Sequence, residues 1–134
     1  MSRWIPLKTQ LSESAAYEYS SPGFVVSPGP LLFIQGQVAW DENMQVVGED
    51  FASQTRQVFA NLAAILEKAG GSLADIVHML VFLTDMERIH EFVAVRKEFY
   101  PSGIFPPSTA VEVRRLIMPE LQIEIHAVGA PSVL

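Results

Sequence analysis

Residues 106–128 read PPSTAVEVRRLIMPELQIEIHAV, and this stretch decides the fold. Both 106–116 and 121–128 alternate apolar and polar side chains, which is the period of a β-strand with one apolar face. The short break between them contains Pro119, which cannot donate to a ladder. We therefore predict an antiparallel hairpin here. It would place four polar side chains on one face, namely Glu112, Arg114, Glu124 and His126.

Composition narrows the class of protein. A chain of 134 residues suits one domain, which we place at 1–134, and 49% hydrophobic residues indicate a globular core. The formal charge of -6 argues against a nucleic-acid partner, because such surfaces are basic. The absence of cysteine excludes thiol catalysis and disulfides. We see neither a leader nor an apolar run long enough for a membrane span, and expect a cytoplasmic protein with no membrane partner.

Two helices and several further strands are predicted upstream. Residues 51–69 carry an apolar stripe at helical spacing, which ends at Gly70 and Gly71, and 86–100 form a second helix. Gly36, inside a strand, indicates a bulge or the close approach of another backbone or a ligand. The predicted strands are 4–7, 24–26, 31–40, 44–47 and 76–83.

The order of elements predicts an α+β fold. We expect a mixed, mostly antiparallel sheet of about five or six strands, with two helices packed on one face. Residues 76–83 are apolar on both sides, although two helices cover only one face of a sheet. The simplest explanation is that a second subunit covers the other face of the sheet.

The quoted motif resembles the signature of the RidA (YjgF/YER057c/UK114) family of reactive-intermediate deaminases. PPSTAVEV at 106–113, IEIHAV at 123–128, QGQ at 35–37 and QTRQVFANL at 54–62 all resemble family elements. The resemblance spans about 24–128. It implies a chorismate mutase-like fold and a homotrimer with small-molecule pockets between subunits.

The resemblance also nominates a site. Glu124 matches the family glutamate that positions or activates the water hydrolysing an imine. Ser108 stands where the family's deaminases carry an arginine, and a serine cannot pair bidentately with a carboxylate. Gln35 replaces the usual serine, and Val93 replaces an asparagine. The aromatic residue of the family's pocket, usually tyrosine, corresponds to Pro22 when the alignment from Gly36 has no gap and to Phe24 when it has a two-residue deletion. The predicted ligand-binding residues are Ser108, Thr109, Gly36, Gln35, Phe24 and Arg114.

Several of these residues also have a purely structural interpretation. Glu124 is equally typical of a surface or structural carboxylate, and Arg114 of a solvated or ion-paired side chain. If Glu112 faced Glu124 across the hairpin, each would raise the other's pKa. His78 is interpreted as an interior histidine and His126 as a proton carrier beside Glu124. The histidine spacing predicts no metal site, and we expect no cofactor.

Three functions follow as hypotheses. The first is a homotrimer that hydrolyses or sequesters reactive imine or enamine metabolites, with little 2-aminoacrylate deaminase activity because of Ser108. The second is a non-catalytic trimer on the same scaffold that binds a ligand or a partner. The third is a ribonuclease, which the acidic composition disfavours.

Overall fold

The computed structural model describes residues 2–14, 17 and 19–132. Two α-helices pack against a mixed arrangement of six strands, which confirms the predicted α+β class. In chain order the elements are β1 (Trp4–Leu7), β2 (Gly23–Val26), β3 (Leu32–Gln37), α1 (Phe51–Lys68), β4 (Ile76–Leu83), α2 (Ile89–Phe99), β5 (Ser108–Glu112) and β6 (Ile123–Gly129). No helix in these residues is both long and apolar enough to cross a bilayer.

Hydrogen bonding divides the strands into two groups. β1 and β2 form a two-stranded antiparallel sheet. The other four strands form the main sheet in the order β3-β6-β4-β5, with antiparallel β3–β6 and β6–β4 pairs and a parallel β4–β5 pair. β3 and β5 are therefore the two edges of the main sheet.

The predicted hairpin at 106–128 is wrong. β4 lies between β5 and β6, because α2 carries the chain from β4 to a parallel neighbour. Leu83 pairs with Glu112, whereas Glu124 pairs with Phe82, so the two carboxylates project from opposite faces of the sheet. Glu112 instead accepts a hydrogen bond from the backbone N–H of Met86 at 2.9 Å. The expected single polar face is therefore wrong, and Glu112 and Glu124 do not face each other.

The helices are close to their predicted limits. Asp50 caps α1 by accepting a hydrogen bond from the N–H of Ser53 at 2.9 Å, and Gly70 follows the helix with a φ of 77°. The second predicted helix begins as a 3₁₀ turn at Met86–Arg88 before α2. The strand predicted at 44–47 is reduced to a single bridge between Trp40 and Val46.

One face of the main sheet forms the core and the other is open. Met79, Val81 and Leu83 of β4 alternate with residues of the open face and are buried, as are Ile123, Ile125 and Ala127 of β6. Helix α1 covers them with Val58, Phe59 and Leu62.

The open face carries apolar side chains in solvent. Phe33 is 72% exposed and Val111 is 40% exposed. His78 lies in the same row as Phe33, because both are aligned with Val128, and it is exposed. The interpretation of His78 as an interior histidine is therefore wrong, since its side of β4 is the uncovered one.

Candidate functional site

Glu124 lies on the open face of β6, with its side chain against Gly36 of β3. β3 is irregular at this point, because its register with β6 shifts between Ile34 and Gln37. A Cβ built on Gly36 would lie 2.8 Å from Cδ of Glu124 and closer still to Oε2. The expected bulge is present, whereas the group that approaches Gly36 closely is the side chain of Glu124 rather than another backbone or a ligand. The missing side chain leaves the space that the carboxylate occupies.

His126 extends the polar surface one step along β6. His126 pairs with Leu80 of β4, and Leu80 pairs with Thr109 of β5, so the three side chains form one row on the open face. Glu124 lies in the next row with Phe82. Nδ1 of His126 is buried and finds no hydrogen-bond partner among the residues that the structure describes. The open face therefore presents a carboxylate, an imidazole and a hydroxyl.

Ser108 lies at the other edge of the sheet. Ser108 and Ala127 pair with Met79 from opposite sides, so Ser108 is two strands away from β6 and on the helix-covered row. From Glu124 this is about 10 Å across the sheet and about 10 Å along it. One chain therefore does not bring Ser108 and Glu124 together.

Gln35 and Gly36 border a cleft of about 400 Å³ at the β3 edge. Asn61 of α1 also lines it and donates hydrogen bonds of 3.0 Å to the carbonyls of Val38 and Trp40. These bonds hold the segment after β3 against α1. Glu124 does not contribute to the described lining of this cleft.

The remaining predicted residues lie elsewhere. Phe24 is in β2 and stacks on Trp4, with ring centroids 4.2 Å apart. Arg114 is exposed and lies beyond Glu112, the last residue of β5, so it is not part of a strand. Val93 is buried in the core. The structure therefore brings Gly36 to Glu124, and it places Phe24 in the other sheet and Arg114 beyond the end of β5.

Glu124 forms no ion pair with any residue that the structure describes. In residues 2–14, 17 and 19–132, the ion pairs join Arg56 to Glu98 and Arg88 to both Asp85 and Glu91. None of these pairs includes Glu124. The same residues contain no group of acidic and histidine side chains that could hold a metal ion.

Arg96 is a polar residue whose burial sequence reasoning missed. It lies in α2 and is only 2% exposed. Its guanidinium lies 4.1 Å from the ring centroid of Phe105 and donates to the carbonyl of Tyr19. Desolvation lowers the pKa of Arg96 to about 10. A lone arginine within an otherwise apolar helix face was the signal available in the sequence.

The sequence matches the profile of the family described as Endoribonuclease L-PSP over residues 9–130. The chain belongs to this family. Membership in the Endoribonuclease L-PSP family agrees with the RidA resemblance seen in the motifs at 106–113 and 123–128, because proteins named for Rid and YjgF are among its structural neighbours.

Relatives within the Endoribonuclease L-PSP family include a RutC family protein from Pyrococcus horikoshii, 39% identical over 105 residues that cover 78% of this chain and 82% of the relative. A protein from Salmonella typhimurium named 2-iminobutanoate/2-iminopropanoate deaminase is 34% identical over 106 residues, with the same coverage of 78% and 82%. A crystal structure of a Rid family protein of unknown function from Yersinia pestis has a TM-score of 0.86 at 29% identity, covering 95% of this chain and 98% of the neighbour.

Proposed function

We propose that this protein is a cytoplasmic, single-domain homotrimer whose inter-subunit pockets bind small imine or enamine metabolites, and that Glu124 assists their hydrolysis. The observation that carries the proposal is the half-buried Glu124 carboxylate, which lies over Gly36 on the open face without an ion-pair partner among the described residues. The deaminase name of the Salmonella relative supports the reaction class.

The topology supports a cyclic assembly. Gly36 and Glu124 lie at the β3 side of the main sheet, and Ser108 and Thr109 lie at its β5 edge. Two different edges meet only in a head-to-tail contact, and such contacts close into a ring when the rotation permits. In that ring, Ser108 of one copy approaches Glu124 of the next. The exposed Phe33 and Val111 on the open face would be covered at the same time.

The chemistry requires one proton acceptor. Water adds to the carbon of a C=N bond to give a carbinolamine, which collapses to a carbonyl compound and ammonia. A carboxylate at hydrogen-bond distance from this water accepts its proton and returns it to the departing nitrogen. Glu124 is the group assigned to both transfers. His126, one row away, is a candidate second proton carrier.

The substrate class follows from charge. Ser108 offers a hydroxyl to the ligand but no positive charge to pair with a carboxylate. An anionic ligand would also meet the uncompensated negative charge of Glu124. Neutral or protonated imines without a carboxylate are therefore favoured over 2-imino acids.

A ligand-binding trimer without catalysis is the second candidate. The observation that favours it is that no ion pair orients Glu124 among the described residues of its own chain. An imine-hydrolysis assay separates the two functions. An amine oxidase would generate an imine that lacks a carboxylate, and an amino-acid oxidase would generate a 2-imino acid.

We expect the wild-type protein to accelerate hydrolysis of the imine that lacks a carboxylate more than hydrolysis of the 2-imino acid. Removing the proton acceptor by Glu124→Gln should lower the rate by about 10² or more. Glu120→Gln, a change at an exposed carboxylate outside the strands, is the matched control and should keep the wild-type rate. Equal rates in the wild type and Glu124→Gln would remove the catalytic assignment and leave the binding function.

A further inference from the structure

His126 is the residue of β6 that lies opposite the bulge of β3. The register between the two strands places two residues, Gln35 and Gly36, against this one histidine. Glu124, whose carboxylate lies against Gly36, is the neighbouring residue on the same face of β6. Alternate residues of a strand are about 7 Å apart, so the imidazole and the carboxylate border the same stretch of the open face.

The two ring nitrogens of His126 have different surroundings. Nδ1 is buried and has no hydrogen-bond partner in the part of the chain that the structure describes. Because its own chain already encloses this atom, neither a ligand nor a second copy can supply a partner. Nε2 is not enclosed and makes no hydrogen bond within the same residues. The half-buried imidazole is therefore open to a ligand at Nε2.

The enclosed nitrogen favours one tautomer of His126. A neutral imidazole has one N–H, and its other nitrogen is an acceptor. A proton on Nδ1 would be a buried donor without an acceptor, which carries the full desolvation penalty of that group. A proton on Nε2 avoids this penalty. The accessible nitrogen then already holds a proton and has no lone pair to receive another, so the role of hydrogen-bond donor fits His126 better than that of proton carrier.

We propose that His126 donates a hydrogen bond from Nε2 to an uncharged oxygen beside the C=N bond of the substrate, and so selects ligands such as 2-imino amides. This inference rests on the proposed function, in which Glu124 bears the attacking water. Water adds to the carbon of the C=N bond, the C–N bond breaks, and ammonia and a 2-oxo amide leave. An amide oxygen is a strong acceptor without charge, whereas a carboxylate at the same place would be repelled by Glu124.

The tautomer can be measured on the wild-type protein without any substrate. Long-range proton–nitrogen correlation spectra of ¹⁵N-labelled protein at slightly alkaline pH distinguish a protonated ring nitrogen from an unprotonated one. The signals missing from His126→Gln identify the residue. We expect the proton on Nε2. A proton on Nδ1 would overturn the proposal, whether or not the protein hydrolyses imines.

The ligand class can be tested with pyruvamide, a stable 2-oxo amide. Pyruvate is its charged counterpart, and butanone lacks the second oxygen. Titration should show saturable binding of pyruvamide and weaker binding of both others. Removal of the donor in His126→Leu should weaken pyruvamide binding about tenfold. His126→Gln keeps an N–H and should bind nearly as the wild type does, and His90→Leu, the same replacement at an exposed position of α2, should have no effect.

Each outcome decides the role of His126 or that of Glu124. Equal losses of pyruvamide binding in His126→Leu and His126→Gln would overturn the donor role. Absence of pyruvamide binding by the wild type, or equal binding of pyruvate or butanone, would overturn the ligand class. Saturable pyruvamide binding with the expected variant pattern, but without imine hydrolysis, would refute only the proposed catalysis and leave the donor role standing.

Discussion

The carboxylate of Glu124 occupies the space that a β-carbon on Gly36 would fill. Gly36 has no left-handed φ that would by itself require glycine, so the demand for glycine comes from the neighbouring strand. The two residues thus form one unit in which the backbone of β3 makes room for the functional group of β6.

Gly36→Ala should impair function more than stability. The added methyl group meets the end of a flexible side chain, so the carboxylate moves and the melting temperature changes little. Displacement of a proton acceptor by about 1 Å costs on the order of 10²-fold in rate. Gly23→Ala is the control, because its added Cβ would lie 3.7 Å from the nearest atom, Cδ1 of Leu7. Wild-type imine hydrolysis in Gly36→Ala would contradict the assignment of Glu124.

The open face of the main sheet should be buried in a trimer. Light scattering at micromolar concentration should give three times the chain mass of 14.8 kDa. Phe33→Glu should shift the mass toward monomer, because it places a charge in the proposed contact. Met44→Glu adds the same charge to an exposed apolar residue in a turn and should leave the mass unchanged. A monomeric wild type would refute both the covered face and the pocket between copies.

Ser108→Arg should raise hydrolysis of 2-imino acids. Arginine would restore a charge-assisted pair with the substrate carboxylate, worth about 1.5–3 kcal/mol, or roughly tenfold to a hundredfold in rate. Addition of Glu124→Gln should remove the gain. Ser108 lies at the β5 edge of the sheet and Glu124 lies on β6, toward the β3 edge. In the proposed ring each pocket takes the two residues from different copies, so a chain carrying both changes should regain activity when co-assembled with wild-type chains. No recovery in mixed assemblies, despite a gain in Ser108→Arg alone, would argue against a pocket shared between copies.

The cap of α1 should give a pH-dependent contribution to stability. Hydrogen bonds from the Ser53 side chain and then from its backbone N–H hold the pKa of Asp50 below the ordinary value of 3.8. This stabilisation is present above pH 4 and is lost as the pH falls through the lowered folded-state pKa. Asp50→Asn keeps a good cap without a titrating group, so thermal unfolding should show a smaller loss between pH 5 and 3 than in the wild type. Identical pH profiles would exclude Asp50 as a contributor.

RNA cleavage should be absent despite the family's description. The formal charge of -6 opposes association with a polyanion. His78 is exposed on the open face but lies two rows from Glu124, so the two side chains are not neighbours that could act together on one phosphate. Incubation of purified protein with labelled RNA at low salt should leave the RNA intact. Cleavage that a single substitution such as His126→Ala abolishes would reverse this conclusion.

The sequence was informative where local rules decide the structure. Helix α1 has its cap at Asp50 and its end at Gly70, both readable from residue type and spacing. The bulge at Gly36 was readable for the same reason, because a glycine within a strand pattern has few other causes.

Strand pairing was not readable from the same rules. The alternation at 121–128 predicts a strand but not its neighbours, and the short connection after β5 suggested a hairpin. The parallel β4–β5 pair, which leaves β6 to pair on the other side of β4, depends on the path of α2 over the sheet. The predicted hairpin wrongly placed Glu112 beside Glu124. It also gave no indication that Ser108 and Glu124 lie far apart within one chain.

The central position of β6 has a consequence for synthesis on the ribosome. β6 is the last strand in chain order, yet it alone connects β3 to β4. Ile34 of β3 can pair with Ala127 of β6 only after about ninety further residues have been synthesised. Such long-range pairings slow folding. A nascent chain that lacks 123–129 therefore presents two unmatched strand edges, β3 and β4, to chaperones or to other chains.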